Sequence, residues 1–221
     1  MLNFPETTVA NRIIPKDAIY KHANVNTEIR QLFIEEIRRI KLANLLRKDT
    51  LNVEGGEYLE INVFEISLET FHLDRRVIET IDSVIPRPTI FVCTVPQSPL
   101  KKIICGYKTP DSGKVHQYFE TDWSKDFLLK IRGITLDEIY KNFLSQINPS
   151  FGTKSHKIAD SFDDFATIKK LKKQIELLNK KISREPQISK KQILAKQRAE
   201  IRQQIEKLKQ SKKQKCDIIN L

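Results

Sequence analysis

Residues Tyr58 to Leu68 read YLEINVFEISL, and the reading of this stretch decides the fold. It is rich in β-branched and aromatic residues with only partial alternation, so it is predicted as a strand. Apolar residues on both of its faces give it a central place in a sheet. Gly55-Gly56 marks the chain break before it. Upstream of that break, Ile29, Leu32, Phe33, Ile37, Ile40 and Leu45 recur at helical spacing, which predicts one long helix from Thr27 to Arg47. Pro15 to Ala23 is read as a short helix, and the residues before it as irregular. Downstream, Val77, Ile78, Ile81 and Val84 predict a crossover helix over Asp74 to Ile85, stopped by Pro86 and Pro88.

Three strands follow, Thr89 to Val95, Lys101 to Lys108 and Lys114 to Trp123. Pro96-Gln97-Ser98-Pro99 and Thr109-Pro110-Asp111-Ser112-Gly113 supply the turn chemistry between them. Short turns in succession imply an antiparallel meander. Thr135, with Glu138 three residues on, caps a closing helix that runs to Asn148. The expected fold class is therefore α+β, with helices packed on a four-stranded, mostly antiparallel sheet.

That domain is expected to occupy residues 1–148, and residues 149–167 have the Pro, Ser, Gly and Asp content of a linker. Beyond it the pattern changes. Ile168, Leu171, Ile175, Leu178 and Ile182 follow a strict 3-4 heptad spacing. Pro186 interrupts, and Leu194, Ile201, Ile205 and Leu208 mark a second helix to about Gln210. Residues 168–211 are thus expected to form a C-terminal antiparallel coiled-coil hairpin, with arms of roughly 24 and 33 Å at 1.5 Å per residue. Residues 212–221 are expected to be a flexible tail. Arg198 falls in the seam between Leu194 and Ile201, where a charge tends to specify register or partner.

Charge follows the same division. From Lys169 to Lys215 there are 17 Lys and Arg against four acids, whereas the rest of the chain has 22 basic and 24 acidic residues. The formal net charge of +11 therefore belongs to the hairpin and tail. Lys169, Lys172, Lys173, Lys180, Lys190, Lys191, Lys196, Arg198 and Arg202 are spread along it, with few acids placed at i+4 to neutralise them. Such an array suits phosphates along a nucleic acid, DNA ahead of RNA. No aromatic residue occurs from Ile168 to Leu221, so base stacking is excluded there and contact is expected to be backbone-directed.

No apolar run approaches the roughly 18 residues that a bilayer requires, and MLNFPETTVANR lacks the pattern of an export signal. No membrane association is expected. Cys93, Cys105 and Cys216 are odd in number and widely spaced, which points to a reducing, cytoplasmic setting without disulfides or a cysteine zinc site.

No catalytic signature is complete. Neither Asp-x-Lys nor Glu-x-Lys occurs, there is no phosphate-cradling glycine loop, and His22, His72, His116 and His156 lack ligand spacing. No metal or other cofactor is expected. Glu60 and Asn62 on one strand, with Glu120 and Asp122 at the end of another, are the residual candidates for a divalent-ion site. Lys16, Tyr20, Lys21 and His22 form a second candidate cluster, for an anion.

The motifs NRIIPKDAIYKH, VFEISLETFHLDRRVIETIDSVIPRPTIF, QYFETDW and ITLDEIYKNFLSQI, with the tail IELLNKKISREPQISKKQILAKQRAEIRQQIEKLK, resemble an uncharacterised bacterial domain-of-unknown-function family. Its genes neighbour those of DNA methyltransferases and helicases in restriction-modification or phage-defence clusters. The similarity covers about Asn11 to Lys209. Relatives have a lysine and an Asn-Arg-Lys-like stretch where this chain has Pro186 and Ile188-Ser189-Lys190, which implies a sharper bend here. The resemblance brings no catalytic residues. Taken with the charge array, this genetic context leads to the expectation of a non-catalytic accessory subunit whose hairpin contacts nucleic acid, a helicase or a methyltransferase. The alternatives are a coiled-coil scaffold that forms a homodimer, and a metal-dependent nuclease built on the sheet carboxylates.

Overall fold

The computed structural model describes residues 4–110, 113–149, 151 and 158–217, with the backbone alone at 158–166 and 209–217. The chain divides into two compact units, Met1–Pro149 and Ser150–Leu221.

The first unit holds a six-stranded mixed sheet, which corrects the expected four strands. Its strands lie in sequence order: β1 (Val9–Ile14), β2 (Ile37–Arg47), β3 (Glu60–Leu68), β4 (Thr89–Thr94), β5 (Lys101–Lys108) and β6 (Val115–Glu120). Only β3 and β4 pair in parallel, with Phe64 opposite Phe91 and Ile66 opposite Cys93. The other neighbours are antiparallel. A parallel pair needs a long crossover, and helix α4 (Arg75–Ser83) supplies it.

The two additional strands have separate causes. The stretch read as one helix is α2 (Thr27–Glu36) followed directly by β2. The pairing of β2 with β3 shifts register between Ile37 and Arg39 and again between Leu42 and Asn44. A bulge inserts one residue, so apolar side chains on one face of a strand become three apart and imitate helical spacing. Ile37 and Ile40, both buried, are such a pair. Strand β1 is a short edge strand with exposed Val9 and Ile13 and Asn11 at φ 47°, so it lacks the alternation that would reveal it.

Helices lie on both faces of the sheet. On one face, Ile19 of α1 (Lys16–Ala23), Phe33 of α2, and Val77, Ile78 and Ile81 of α4 pack on Ile40, Leu42, Phe64, Ile66, Phe91, Cys93 and Ile104. On the other lies α5 (Leu136–Ile147), which meets β3, β5 and β6 and buries Leu136, Ile139, Tyr140, Phe143 and Leu144. The Thr135 hydroxyl caps α5 by accepting from the Glu138 amide at 3.2 Å. A four-residue helix, α3 (Lys48–Leu51), closes β2.

Two lysines hold helix ends from a distance. Lys16 Nζ donates to the carbonyls of Phe33 and Ile37, where α2 passes into β2 and the Phe33 carbonyl also accepts the Ile37 amide. Lys108 does the same for α4.

The N-terminus of α4 is set by Asp74, whose carboxylate accepts from the Arg76 amide at 2.9 Å and pairs with the Arg76 guanidinium at 2.8 Å. These hydrogen bonds hold the Asp74 carboxyl at about 2, below its usual 3.8. Because the folded-state value is depressed, the stability it contributes is present above pH 3.8 and lost as pH falls through 2. Asp74→Ala is therefore expected to lower Tm at pH 6, and the gap from the parent should close as thermal scans move toward pH 2. An undiminished gap would contradict this account.

In the second unit, α6 (Ile158–Arg184) and α7 (Ile188–Asp217) are joined by three residues around Pro186 and pack on each other. Helix α6 begins inside the stretch expected to be a linker, of which residues 150 and 152–157 lie outside the described residues. Once nucleated, a helix propagates at low cost per residue. For the same reason α7 continues past Gln210 to Asp217, into the expected flexible tail. The last four residues, 218–221, lie outside the described residues.

Candidate nucleic-acid interface

The hairpin is built from two stripes of unlike chemistry. Ile168, Leu171, Ile175, Leu178 and Ile182 of α6 are half-buried, as are Leu194, Ile201 and Leu208 of α7, while Ile205 is buried. Arg198 sits among them at half exposure, and its Nη1 donates to Asn179 Oδ1 across the hairpin at 3.0 Å. This bond fixes the register of α7 against α6 and uses the guanidinium within the hairpin.

Lys169, Lys172, Lys173, Lys180, Lys190, Lys191, Lys196 and Arg202 are all exposed. Every ion pair that joins two described residues lies in the first unit. At 1.5 Å per residue, α6 and α7 extend over roughly 40 and 45 Å, so the positive charge is laid out over several phosphate spacings. Leu177, Ile188 and Ile193 are apolar and exposed outside the seam.

The sheet carboxylates do not converge. Glu60 and Asn62 are on β3, whereas Glu120 ends β6 and Asp122 follows it, three strands away. At about 4.8 Å between neighbouring strands, this separates them by roughly 14 Å. Glu60 pairs with Arg47 at 2.8 Å, and Asn62 is buried. Glu120 accepts from Arg75 at 2.8 Å and lies 3.4 Å from Lys102. Asp122 is exposed. Among the described residues no group of three or more His, Cys, Asp or Glu could hold a metal ion.

The cluster at Lys16, Tyr20, Lys21 and His22 is likewise divided. Lys16 is engaged with the α2 carbonyls, and burial lowers its pKa. Tyr20 is covered by the Arg30 guanidinium, 4.8 Å from the ring centroid.

One charged group lay beyond the reach of sequence reasoning. Lys108 and Asp82 form an ion pair at 2.6 Å with both side chains 0 % exposed. Lys108 Nζ also donates to the carbonyls of Asp82 at 3.0 Å, Ile85 at 2.5 Å and Arg87 at 3.2 Å. Tyr118 Oη donates to Asp82 Oδ2 at 2.9 Å. Burial pushes the Asp82 carboxyl upward against the opposing pull of Lys108, and it also raises Tyr118. Gly106 makes room for the cluster, since a Cβ there would stand 3.0 Å from Asp82 Oδ2 and 2.9 Å from Val115 Cγ1. A hollow of about 900 Å³ lined by Glu79, Lys114 and His116 opens beside Asp82 and Tyr118. Lys108 and Tyr118 already occupy the carboxylate oxygens, so the arrangement is a structural clasp. The only hint in the letters is a lysine closing an otherwise apolar strand, KKIICGYK.

Fold and surface together define a mixed-sheet α+β domain followed by a basic helical hairpin. The chain belongs to a domain-of-unknown-function family, DUF4391, whose family model matches residues 2–215. No curated protein and no solved structure matches the chain. No helix among the described residues is long and apolar enough to cross a membrane.

Proposed function

We propose that this chain is a non-catalytic accessory subunit of a bacterial DNA-modification, restriction or phage-defence assembly, and that its hairpin binds nucleic-acid backbone. The observation that supports this reading is the exposure of the eight Lys and Arg named above on α6 and α7, without ion pairs to described acids. Unneutralised like charge opposes the packing of two helices, and a polyanion removes that cost by releasing its own counterions. The hairpin offers no rings for stacking, so it holds a strand or duplex without reading bases.

Binding should therefore weaken by about a hundredfold or more between 50 and 200 mM salt for five or more phosphate contacts. Fluorescence anisotropy with a labelled 20-mer duplex measures it, and equal affinity at both salts rejects the reading. The exposed Leu177, Ile188 and Ile193 favour a second reading, in which the hairpin recruits a protein such as a helicase or methyltransferase. The same salt series separates the two, because an apolar contact persists at 200 mM.

A further inference from the structure

Among the described residues, α5 leaves part of its face of the sheet open. Beside the helix lies a hollow of about 390 Å³, within the size range of small-molecule sites. Its floor is apolar, formed by Val63 and Val92 at the centre of the sheet with Ala43 beside them. Phe4 stands at its rim, held against Phe143 of α5 with ring centroids 5.9 Å apart.

Polar groups are set into this floor by irregular backbone. The β1–β2 ladder shifts register between Val9 and Arg12, and the β2–β3 ladder between Leu42 and Asn44. The two irregularities bring Asn11, Ala43 and Asn44 to the same hollow. Bulges re-aim side chains and recur beside functional sites. Asn11 at φ 47° adds local strain.

Charge is the third feature. Lys41, 8 % exposed, pairs with Glu65 at 3.0 Å directly across the β2–β3 ladder, and Arg39 stands 3.9 Å from the same carboxylate. Lys101 reaches the hollow from β5. The lining thus carries two ammonium groups, Lys41 and Lys101, and one carboxylate, Glu65. Asn44 already donates through Nδ2 to the Thr8 hydroxyl at 2.9 Å, which orients its amide.

We propose that this hollow is a binding site for a nucleoside monophosphate. A flat base fits over Val63 and Val92, the amides of Asn11 and Asn44 match the donors and acceptors at its edge, and Lys41 and Lys101 attract the phosphate. Every lining residue belongs to the first unit, and neither reading depends on the other.

Isothermal titration of the full chain with AMP, GMP, CMP and UMP tests it, with inorganic phosphate and the four nucleosides as comparators. At least one mononucleotide should bind about tenfold tighter than phosphate and than its own nucleoside. Thr94→Trp, which fills the hollow from β4, should weaken that binding about tenfold or more. Lys101→Glu, which reverses a charge at the lining, provides the same test if the tryptophan variant does not fold. Replacing Lys172 and Lys173 of the hairpin with Gln should leave the affinity unchanged. Mononucleotides that bind no better than phosphate overturn the proposal, as does unaltered affinity in the folded lining variant.

Discussion

Replacing Lys108 with methionine is expected to destabilise the first unit by about 3–5 kcal/mol, the range for breaking a buried ion pair from one side. The methionine keeps most of the stem volume and removes only the ammonium. Asp82 would keep its hydrogen bonds with the Tyr118 hydroxyl at 2.9 Å and with Thr89, while one oxygen loses the cation at 2.6 Å. The Ile85 carbonyl would lose the Lys108 donor, while the Asp82 carbonyl keeps the Ile85 amide and the Arg87 carbonyl keeps the Thr89 hydroxyl. An orphaned buried acceptor adds roughly 1–3 kcal/mol to the loss. Urea unfolding followed by the fluorescence of Trp123, the only tryptophan, isolates this unit from the hairpin. The double variant Asp82→Leu with Lys108→Met should recover part of the loss, because an apolar pair leaves no charge stranded. A single-variant loss below about 1 kcal/mol would show that water satisfies the cluster.

The second large effect concerns binding. Changing Lys172, Lys173, Lys190 and Lys191 to Gln should flatten the dependence of log affinity on log salt by about 0.9 for each lost phosphate contact, up to about 3.6 in all. All four are exposed, so the hairpin itself should persist and its melting point should hold or rise as like-charge repulsion falls. Anisotropy at several salt concentrations gives the slope, and circular dichroism checks the helices. An unchanged slope in a folded hairpin would remove these lysines from the interface.

Much of the sheet could be read from letters because its signals are local. Strand β3 is preceded by a pair of glycines, β4 and β5 are separated by prolines, and α4 and α5 have clean apolar periodicity with caps at Asp74 and Thr135. Strand β2 could not be read, since its bulges displace Ile37 and Ile40 into helical spacing. That one error concealed more than a strand. The pairing of Lys41 with Glu65 exists only through the β2–β3 register, so a chain read as helical there has no hollow with charged groups in its lining. The hairpin differs because charge density and heptad spacing are properties of composition and interval, which need no tertiary partner to be visible. Lys108 marks the opposite limit. A lysine that ends a strand is normally solvated, and nothing in its neighbours announces the helix terminus 26 residues back that encloses it.

The lysine latches have a consequence for how the domain opens. Helix ends ordinarily fray alone, because their last carbonyls answer only to water. Here the ends of α2 and α4 are tied to groups 17 to 26 residues away in the chain, and the second tie is anchored in the central part of the sheet. Loosening the last turn of α4 therefore requires β5 to release its terminal lysine. Two ammonium groups thereby couple the fraying of these helix ends to residues distant in the chain.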